Sequence, residues 1–136
     1  MLRPTHIAET ALYVDDLDRA IQFYSDLLEC PIIRRDERFG VLRLADGQVL
    51  LLFRRGHSRQ PIRLNDDAII PGHDGSGPLH VCFGIQASEL SSWERKLEQL
   101  GIAIESRVRW PGSATSLYLR DPDNHVVELA TPGLWG

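Results

Sequence analysis

Residues 116–130, SLYLRDPDNHVVELA, form two short apolar runs joined by a polar Asp-Pro-Asp-Asn turn. Apolar runs of this length on either side of a turn sequence predict the two strands of a hairpin. The second run contains one carboxylate, Glu128. A carboxylate inside an apolar strand is costly to desolvate unless a metal or a base matches its charge. The stretch therefore predicts a functional site around Glu128, and the remaining sequence must supply what faces it.

The composition is that of an ordinary globular domain. The 136 residues are 43% hydrophobic and 25% charged, with a net charge of -4. A chain of this length can bury a hydrophobic core without disulfide bonds or structural metal ions. The mild acidity argues against nucleic acid or an anionic membrane as the main partner. No apolar run approaches the roughly 20 residues that span a bilayer, and the N-terminus lacks the apolar segment of a secretion signal. The protein is therefore predicted to be cytoplasmic, with Cys30 and Cys82 as free core thiols because they lack Cys-x-x-Cys spacing.

The order of predicted elements is the same in the two halves of the chain. A strand, an amphipathic helix and three further strands are predicted in residues 5–55 and again in residues 79–132. The strands are predicted at residues 6–14, 32–36, 39–44 and 49–53, and at residues 79–85, 102–105, 116–120 and 126–130. Residues 56–78 are rich in Gly, Pro, Asp and Arg, which predicts either a connector or a functional lid. We therefore predict one α+β domain, residues 1–136, made of two βαβββ modules joined by a loop.

Aligning the two halves places four side chains at equivalent positions. Residues 46–52, DGQVLLL, match residues 123–129, DNHVVEL, in the last strand of each half. The first strands align in the same way. The equivalent positions hold Glu9 and Leu51 in the first half, and His80 and Glu128 in the second. Three of these four side chains can bind a divalent cation, so each module is predicted to bring its first and last strands to a shared cleft.

Three stretches of the chain resemble the vicinal oxygen chelate superfamily. They are residues 12–24, LYVDDLDRAIQFY, residues 77–81, GPLHV, and residues 117–129, which begin LYLRDPD and end VEL. The superfamily contains glyoxalase I, extradiol dioxygenases, methylmalonyl-CoA epimerase, fosfomycin-modifying thiol transferases and bleomycin-resistance proteins. The resemblance implies two βαβββ modules that curl into an open barrel-like cleft, and usually a homodimer.

The resemblance also implies a divalent metal in that cleft. When the metal-ligand positions of the superfamily are transferred to this sequence, they fall on Glu9, His80 and Glu128. At the position of Glu9, a histidine is the commonest residue in the superfamily. Two carboxylates and one imidazole favour Mn or Fe, with Zn and Ni as further candidates. The fourth position, a protein ligand in glyoxalase I, is Leu51 here. This difference argues against glyoxalase I and leaves coordination positions open for the oxygen atoms of a small-molecule substrate.

Several residues are predicted to contact that substrate. Tyr118 lies ten residues before Glu128, where the resemblance implies a tyrosine that reaches the substrate, so these two are the candidate catalytic residues. Leu51, Phe53 and Trp110 are candidate lining residues, together with Tyr118. Each of the lining residues has an alternative as core packing or solvated surface.

Other roles stay open for the remaining polar residues. Glu9 could pair with an arginine such as Arg43 or Arg109. His6, three residues upstream, is a possible substitute for it but would point to the other strand face, and His80 could be a buried histidine bonded to the backbone. Three further histidines lie in polar turn or loop surroundings and are predicted to be exposed: His57, His73 and His125.

Two classes of function follow from these observations. The leading hypothesis is a glyoxalase-like metalloenzyme of lyase, isomerase, transferase or dioxygenase type, in which the cation stabilises an oxyanionic state of the substrate. The alternative is a metal-free protein of the bleomycin-resistance type that binds a small molecule or antibiotic. The presence of a metal separates the two.

Overall fold

The computed structural model describes all 136 residues, which divide into two compact units, Met1–Ser76 and Gly77–Gly136. The first unit contains β1 (Glu9–Val14), α1 (Leu17–Leu28), β2 (Ile32–Arg35), β3 (Phe39–Ala45), β4 (Gln48–Arg54), β5 (Ile62–Arg63) and β6 (Ile69–Ile70). The second contains β7 (His80–Gly84), a 3-10 turn (Ala87–Glu89), α2 (Leu90–Gln99), β8 (Ser106–Arg109), β9 (Thr115–Arg120) and β10 (Val126–Ala130). The predicted pair of βαβββ modules is confirmed. Neither helix is long and apolar enough to cross a membrane.

The two four-stranded sheets have the same topology and register. Their strand orders are β1-β4-β3-β2 and β7-β10-β9-β8, and in each sheet the first and last strands of the module pair in parallel. The paired residues include Glu9 with Val49 and His80 with Val126. Leu51 and Glu128 each lie two residues further along the last strand, so they share a sheet face with Glu9 and His80 respectively. The register thus reproduces the alignment of the two halves.

Helix α1 packs against one face of the first sheet. The carboxylate of Asp16 caps the helix by accepting the Arg19 backbone N–H, and Glu29 ends it in a left-handed conformation. The apolar side of α1 and the facing strand residues form a core in which each side chain is at most 2% exposed: Leu12, Leu17, Ala20, Ile21, Tyr24, Leu27, Leu42, Leu50 and Leu52. Glu9 and Leu51 belong to the opposite face, where a site can form.

Residues 56–76 fold back onto the first unit. The Ser58 hydroxyl donates to the carbonyl of His73 at 2.7 Å, and the His73 backbone N–H donates to the carbonyl of Ser58 at 2.8 Å. The His73 ring is bonded to the Tyr13 hydroxyl at 2.8 Å. A Cβ on Gly72 would lie 1.9 Å from the carbonyl oxygen of Arg59, so this crossing requires glycine. The segment predicted as a connector or lid therefore belongs to the first unit and contains the β5–β6 hairpin.

Asp74 closes the base of this segment, and its titration gives a test. The Gly56 backbone N–H and then the Arg59 guanidinium lower the pKa of Asp74 from 3.8 to about 2. A depressed carboxyl pKa contributes stability above the ordinary value and loses it as the pH falls through the folded value. We expect Asp74→Asn to lower the melting temperature at pH 6, and the difference from wild type to shrink between pH 4 and pH 2. Thermal unfolding followed by circular dichroism measures both. Asp67→Asn, in an exposed pair with Arg63, is the control, and an equal effect there would contradict the prediction.

The Asp-Pro-Asp-Asn turn fixes the start of β10. The Asp121 carboxylate accepts the backbone N–H groups of Asp123 and His125, and Asn124 has a φ of 66°, a conformation that asparagine tolerates. The prediction that His125 is exposed was wrong. Its ring is fully buried because Nδ1 accepts the Leu79 backbone N–H at 2.8 Å. The turn is therefore tied to the start of β7.

One strand begins later than predicted. The strand predicted at residues 102–105 is β8, Ser106–Arg109. Gly101 has a φ of 71°, and its backbone N–H donates to the carbonyl of Glu98. The backbone N–H of Ile102 donates to the carbonyl of Leu97. These bonds end the helix and commit the following residues to its C-terminal turn.

Candidate functional site

Glu128 lies at the end of a chain of hydrogen bonds in the second unit. Its side chain is buried, and its Oε2 accepts the hydroxyl of Ser116 at 2.5 Å. The Ser116 oxygen in turn accepts the indole N–H of Trp110 at 2.8 Å. Because an indole N–H only donates, the serine hydrogen is committed to Glu128. Oε2 is thereby held in place, and the other carboxylate oxygen is left to face His80.

His80 is oriented by the backbone. Its Nδ1 lies 3.0 Å from the carbonyl oxygen of Val126, and because a carbonyl only accepts, Nδ1 must carry a hydrogen. The other ring nitrogen, Nε2, lies 3.2 Å from Oε1 of Glu128. Two lone pairs repel at that distance, so a proton on either atom, or a cation, must lie between them.

The geometry of this pair fits a divalent cation. Two atoms that each bind one ion at about 2.1 Å lie about 3.0 to 3.4 Å apart at octahedral or tetrahedral angles, and the 3.2 Å between Nε2 and Oε1 falls within that range. The bond from Nδ1 to the Val126 carbonyl is the second interaction that metal-binding histidines usually make. The alternative without a metal is an ion pair in which protonated His80 compensates the charge of the buried carboxylate.

Two further polar side chains flank Glu128. Cys82 and Tyr118 lie directly opposite it on the neighbouring strands, and the Tyr118 ring stacks on His80 at 6.4 Å between centroids. Partial burial and then the charge of Glu128 raise the pKa of the Cys82 thiol to about 11 and also raise the pKa of Tyr118. Cys82 is free, as predicted, but it lies at the solvent-accessible face of the sheet and not in the core. Both groups therefore keep their protons at neutral pH.

Glu9 lines a cavity of about 360 Å³ within the first unit. It is exposed and forms no ion pair, so the pairing with Arg43 or Arg109 that the sequence left open is not made. The candidate residues Leu51 and Phe53 line the same cavity. They form its apolar floor on the sheet face opposite helix α1.

The structure places the predicted ligands in both units. His80 and Glu128 meet in the second unit, whereas Glu9 belongs to the first, and no group of three His, Cys, Asp or Glu side chains is placed to hold a metal. Trp110 is partly exposed and acts on Glu128 through Ser116. Sequence reasoning missed Ser116. Its signal was the alternation of β9, which puts the serine on the same sheet face as Tyr118, two residues away.

Comparisons with known proteins place the chain in a family. Residues 5–129 match the sequence family described as the Glyoxalase/Bleomycin resistance protein/Dioxygenase superfamily. Metallothiol transferase FosB of Bacillus licheniformis is 30% identical over 119 residues, which cover 87% of this chain and 70% of that protein. Fosfomycin resistance protein FosX of Listeria innocua is 39% identical over 51 residues, or 37% of this chain and 38% of that protein. The crystal structure of lactoylglutathione lyase from Agrobacterium tumefaciens has a TM-score of 0.86 and 35% identity, and the match covers 98% of each chain.

Proposed function

Because the chain belongs to the glyoxalase/bleomycin resistance protein/dioxygenase superfamily, we propose that it is a metal-dependent enzyme acting on a small oxygen-bearing substrate. The metal ligands that we propose are His80 and Glu128, which meet in the second unit, and Glu9, which lies in the first unit. We also propose that the protein works as a homodimer. The observation that carries the proposal is the His80–Glu128 pair, whose facing atoms lie 3.2 Å apart, a spacing that fits two ligands of one cation. Glu9 lies in the first module at the position equivalent to His80 in the second. It forms no ion pair that would compete with a metal.

The surrounding residues serve this site in distinct ways. A divalent cation, when bound, supplies Lewis-acid stabilisation of negative charge on a substrate oxygen. Ser116 and the Val126 carbonyl hold the two ligands of the second unit in their binding orientation. Tyr118 carries its hydroxyl proton at neutral pH, as an ordinary tyrosine does, and partial burial and then the charge of Glu128 raise its pKa further. It is therefore suited to donate a hydrogen bond to an oxyanion that develops beside Glu128.

We propose thiol transfer to the substrate as the reaction. The support comes from the similarity to metallothiol transferase FosB and from the three-residue ligand set, which leaves positions for substrate oxygens. A second candidate, a lyase reaction on lactoylglutathione, is favoured by the 35% identity to the Agrobacterium protein. Leu51 at the fourth position opposes that second candidate, since it offers no ligand atom.

Metal content tests the first part of the proposal. Protein purified without chelator is expected to contain about one equivalent of Mn, Fe, Zn or Ni per chain, measured by inductively coupled plasma mass spectrometry. Anomalous scattering from crystals should place the ion against Nε2 of His80 and Oε1 of Glu128. Protein that stays metal-free after incubation with each cation, yet binds small molecules, would instead support the bleomycin-resistance type of function.

Turnover assays separate the two reactions. The metal-loaded protein is incubated with L-cysteine or glutathione and fosfomycin, and thiol consumption is followed; a parallel assay follows S-lactoylglutathione. We expect metal-dependent thiol consumption and no turnover of S-lactoylglutathione. The reverse pattern would establish the lyase reaction and overturn thiol transfer. His80→Ala is the negative control in both assays, because alanine has no ligand atom to replace the imidazole.

A further inference from the structure

Two arginines at the cavity of the first unit are not explained by the metal site. We propose that Arg34 and Arg38 bind an oxyanion, and that the cavity takes a small molecule carrying a carboxylate, phosphate or phosphonate group on an apolar body. This inference rests on the proposed function in one respect, because Glu9 lines the same cavity. It names the chemical class of the substrate at that site.

The arginine side chains rest on one aromatic ring. The guanidinium carbons of Arg34 and Arg38 lie 5.3 and 5.2 Å from the centroid of Phe39. Phe39 itself stacks on Phe53 at 5.4 Å, so both charges sit at the rim of an apolar floor. A cation–π contact near the surface is worth about 0.5 to 1 kcal/mol. Charge-assisted hydrogen bonds to an oxyanion are stronger, so a ligand can recruit both groups.

Neither guanidinium is used by a carboxylate of the protein. The adjacent Arg35 points to the other sheet face and pairs with Asp18 of α1, whereas Arg34 and Arg38 form no ion pair. The Asp36 carboxylate in the intervening turn is occupied by the backbone N–H groups of Arg38 and Phe39. Alternation along β2 thus separates a structural arginine from one that remains available to a ligand.

The walls of the cavity select the rest of the ligand. Glu9 is the only carboxylate among the lining residues, against the two guanidiniums of Arg34 and Arg38, so the cavity favours a negatively charged ligand. Val41, Leu51 and Phe53 supply apolar surface, and His73 and its neighbours line the same cavity. A volume of about 360 Å³ lies at the small end of the range of ligand pockets, about 300 to 1,000 Å³. The ligand of this cavity is therefore a compact amphipathic anion.

Binding to metal-stripped protein tests the inference. The metal is removed with a chelating resin, because a soluble polyanionic chelator would compete for the arginines. Phenylphosphonate, inorganic phosphate and benzyl alcohol are titrated by ligand-observed NMR. We expect phenylphosphonate to bind at least about tenfold tighter than phosphate or benzyl alcohol, and the Arg34→Ala/Arg38→Ala double variant to lose at least about tenfold in affinity for it.

Arg19→Ala is the matched control, because Arg19 is exposed on α1 and its side chain forms no ion pair. It should bind phenylphosphonate like wild type. Equal affinity of wild type and the double variant, equal loss in Arg19→Ala, or equal binding of benzyl alcohol would overturn the inference. Melting temperatures confirm that the variants fold. These titrations contain no metal, so they can be interpreted even if the protein proves not to bind a cation. If phenylphosphonate does not bind, the measurements of metal content still stand.

Discussion

Replacing Glu128 with alanine is expected to weaken the binding of a divalent cation by more than about 100-fold. Loss of a residue that only supports a metal ligand typically costs about 10- to 100-fold, and Glu128 is proposed as a ligand itself. Its Oε1 is the atom that faces Nε2 of His80 at 3.2 Å. A competition titration of metal-stripped protein against a chromophoric chelator measures the affinity. The metal content of both proteins after purification without chelator gives a second measure.

Two further variants make this result specific. Ser116→Ala removes only the hydroxyl that holds Oε2, so it should lose about 10- to 100-fold. Glu105→Ala removes an exposed carboxylate of the same unit, one that pairs with Arg120, and should bind the cation like wild type. Equal metal content in wild type and Glu128→Ala would refute the metal site and leave the ion pair with His80 as the role of Glu128.

The repeat explains why the fold was predictable. In each half, local sequence signals mark where the helices and strands begin and end. They are Asp16 before an amphipathic run, Asp46-Gly47 between two strands, and Gly101 at the end of the second helix. These signals depend only on neighbouring residues. The late start of β8 was not predictable in the same way, because it depends on how the turn after α2 uses its backbone hydrogen bonds.

The site was predictable where it depends on strand register and less so elsewhere. The pairing of His80 with Glu128 follows from the alternation of strands aligned by the repeat. The burial of His125 was missed because it arises from one long-range bond to the Leu79 backbone. Arg34 and Arg38 were missed because a sequence does not show which arginines already have partners. Only the tertiary structure shows that Asp18 is used by Arg35.

Replacing Leu51 with glutamate should strengthen the binding of a divalent cation by about tenfold or more, or at least about 1.4 kcal/mol. Leu51 occupies in the first sheet the place that Glu128 occupies in the second, since both lie two residues beyond the partner of the first-strand ligand. A carboxylate there would complete a four-residue set. Without metal, the exchange removes the apolar packing of Leu51 and desolvates a carboxylate beside Glu9, a cost that the arginines at the rim of the cavity only partly offset. It should therefore lower the free energy of unfolding by about 1 to 3 kcal/mol.

Val49→Glu distinguishes a positioned ligand from a mere increase in negative charge. Val49 lines the same cavity but pairs directly with Glu9, and its equivalent in the second sheet is Val126, which is no ligand. Both variants should melt at lower temperature than wild type without metal. Only Leu51→Glu should regain that loss when the cation is added, because a ligand that binds only the folded state stabilises it in proportion to its affinity. A similar recovery in both variants, or in neither, would show that Leu51 does not lie at a fourth ligand position.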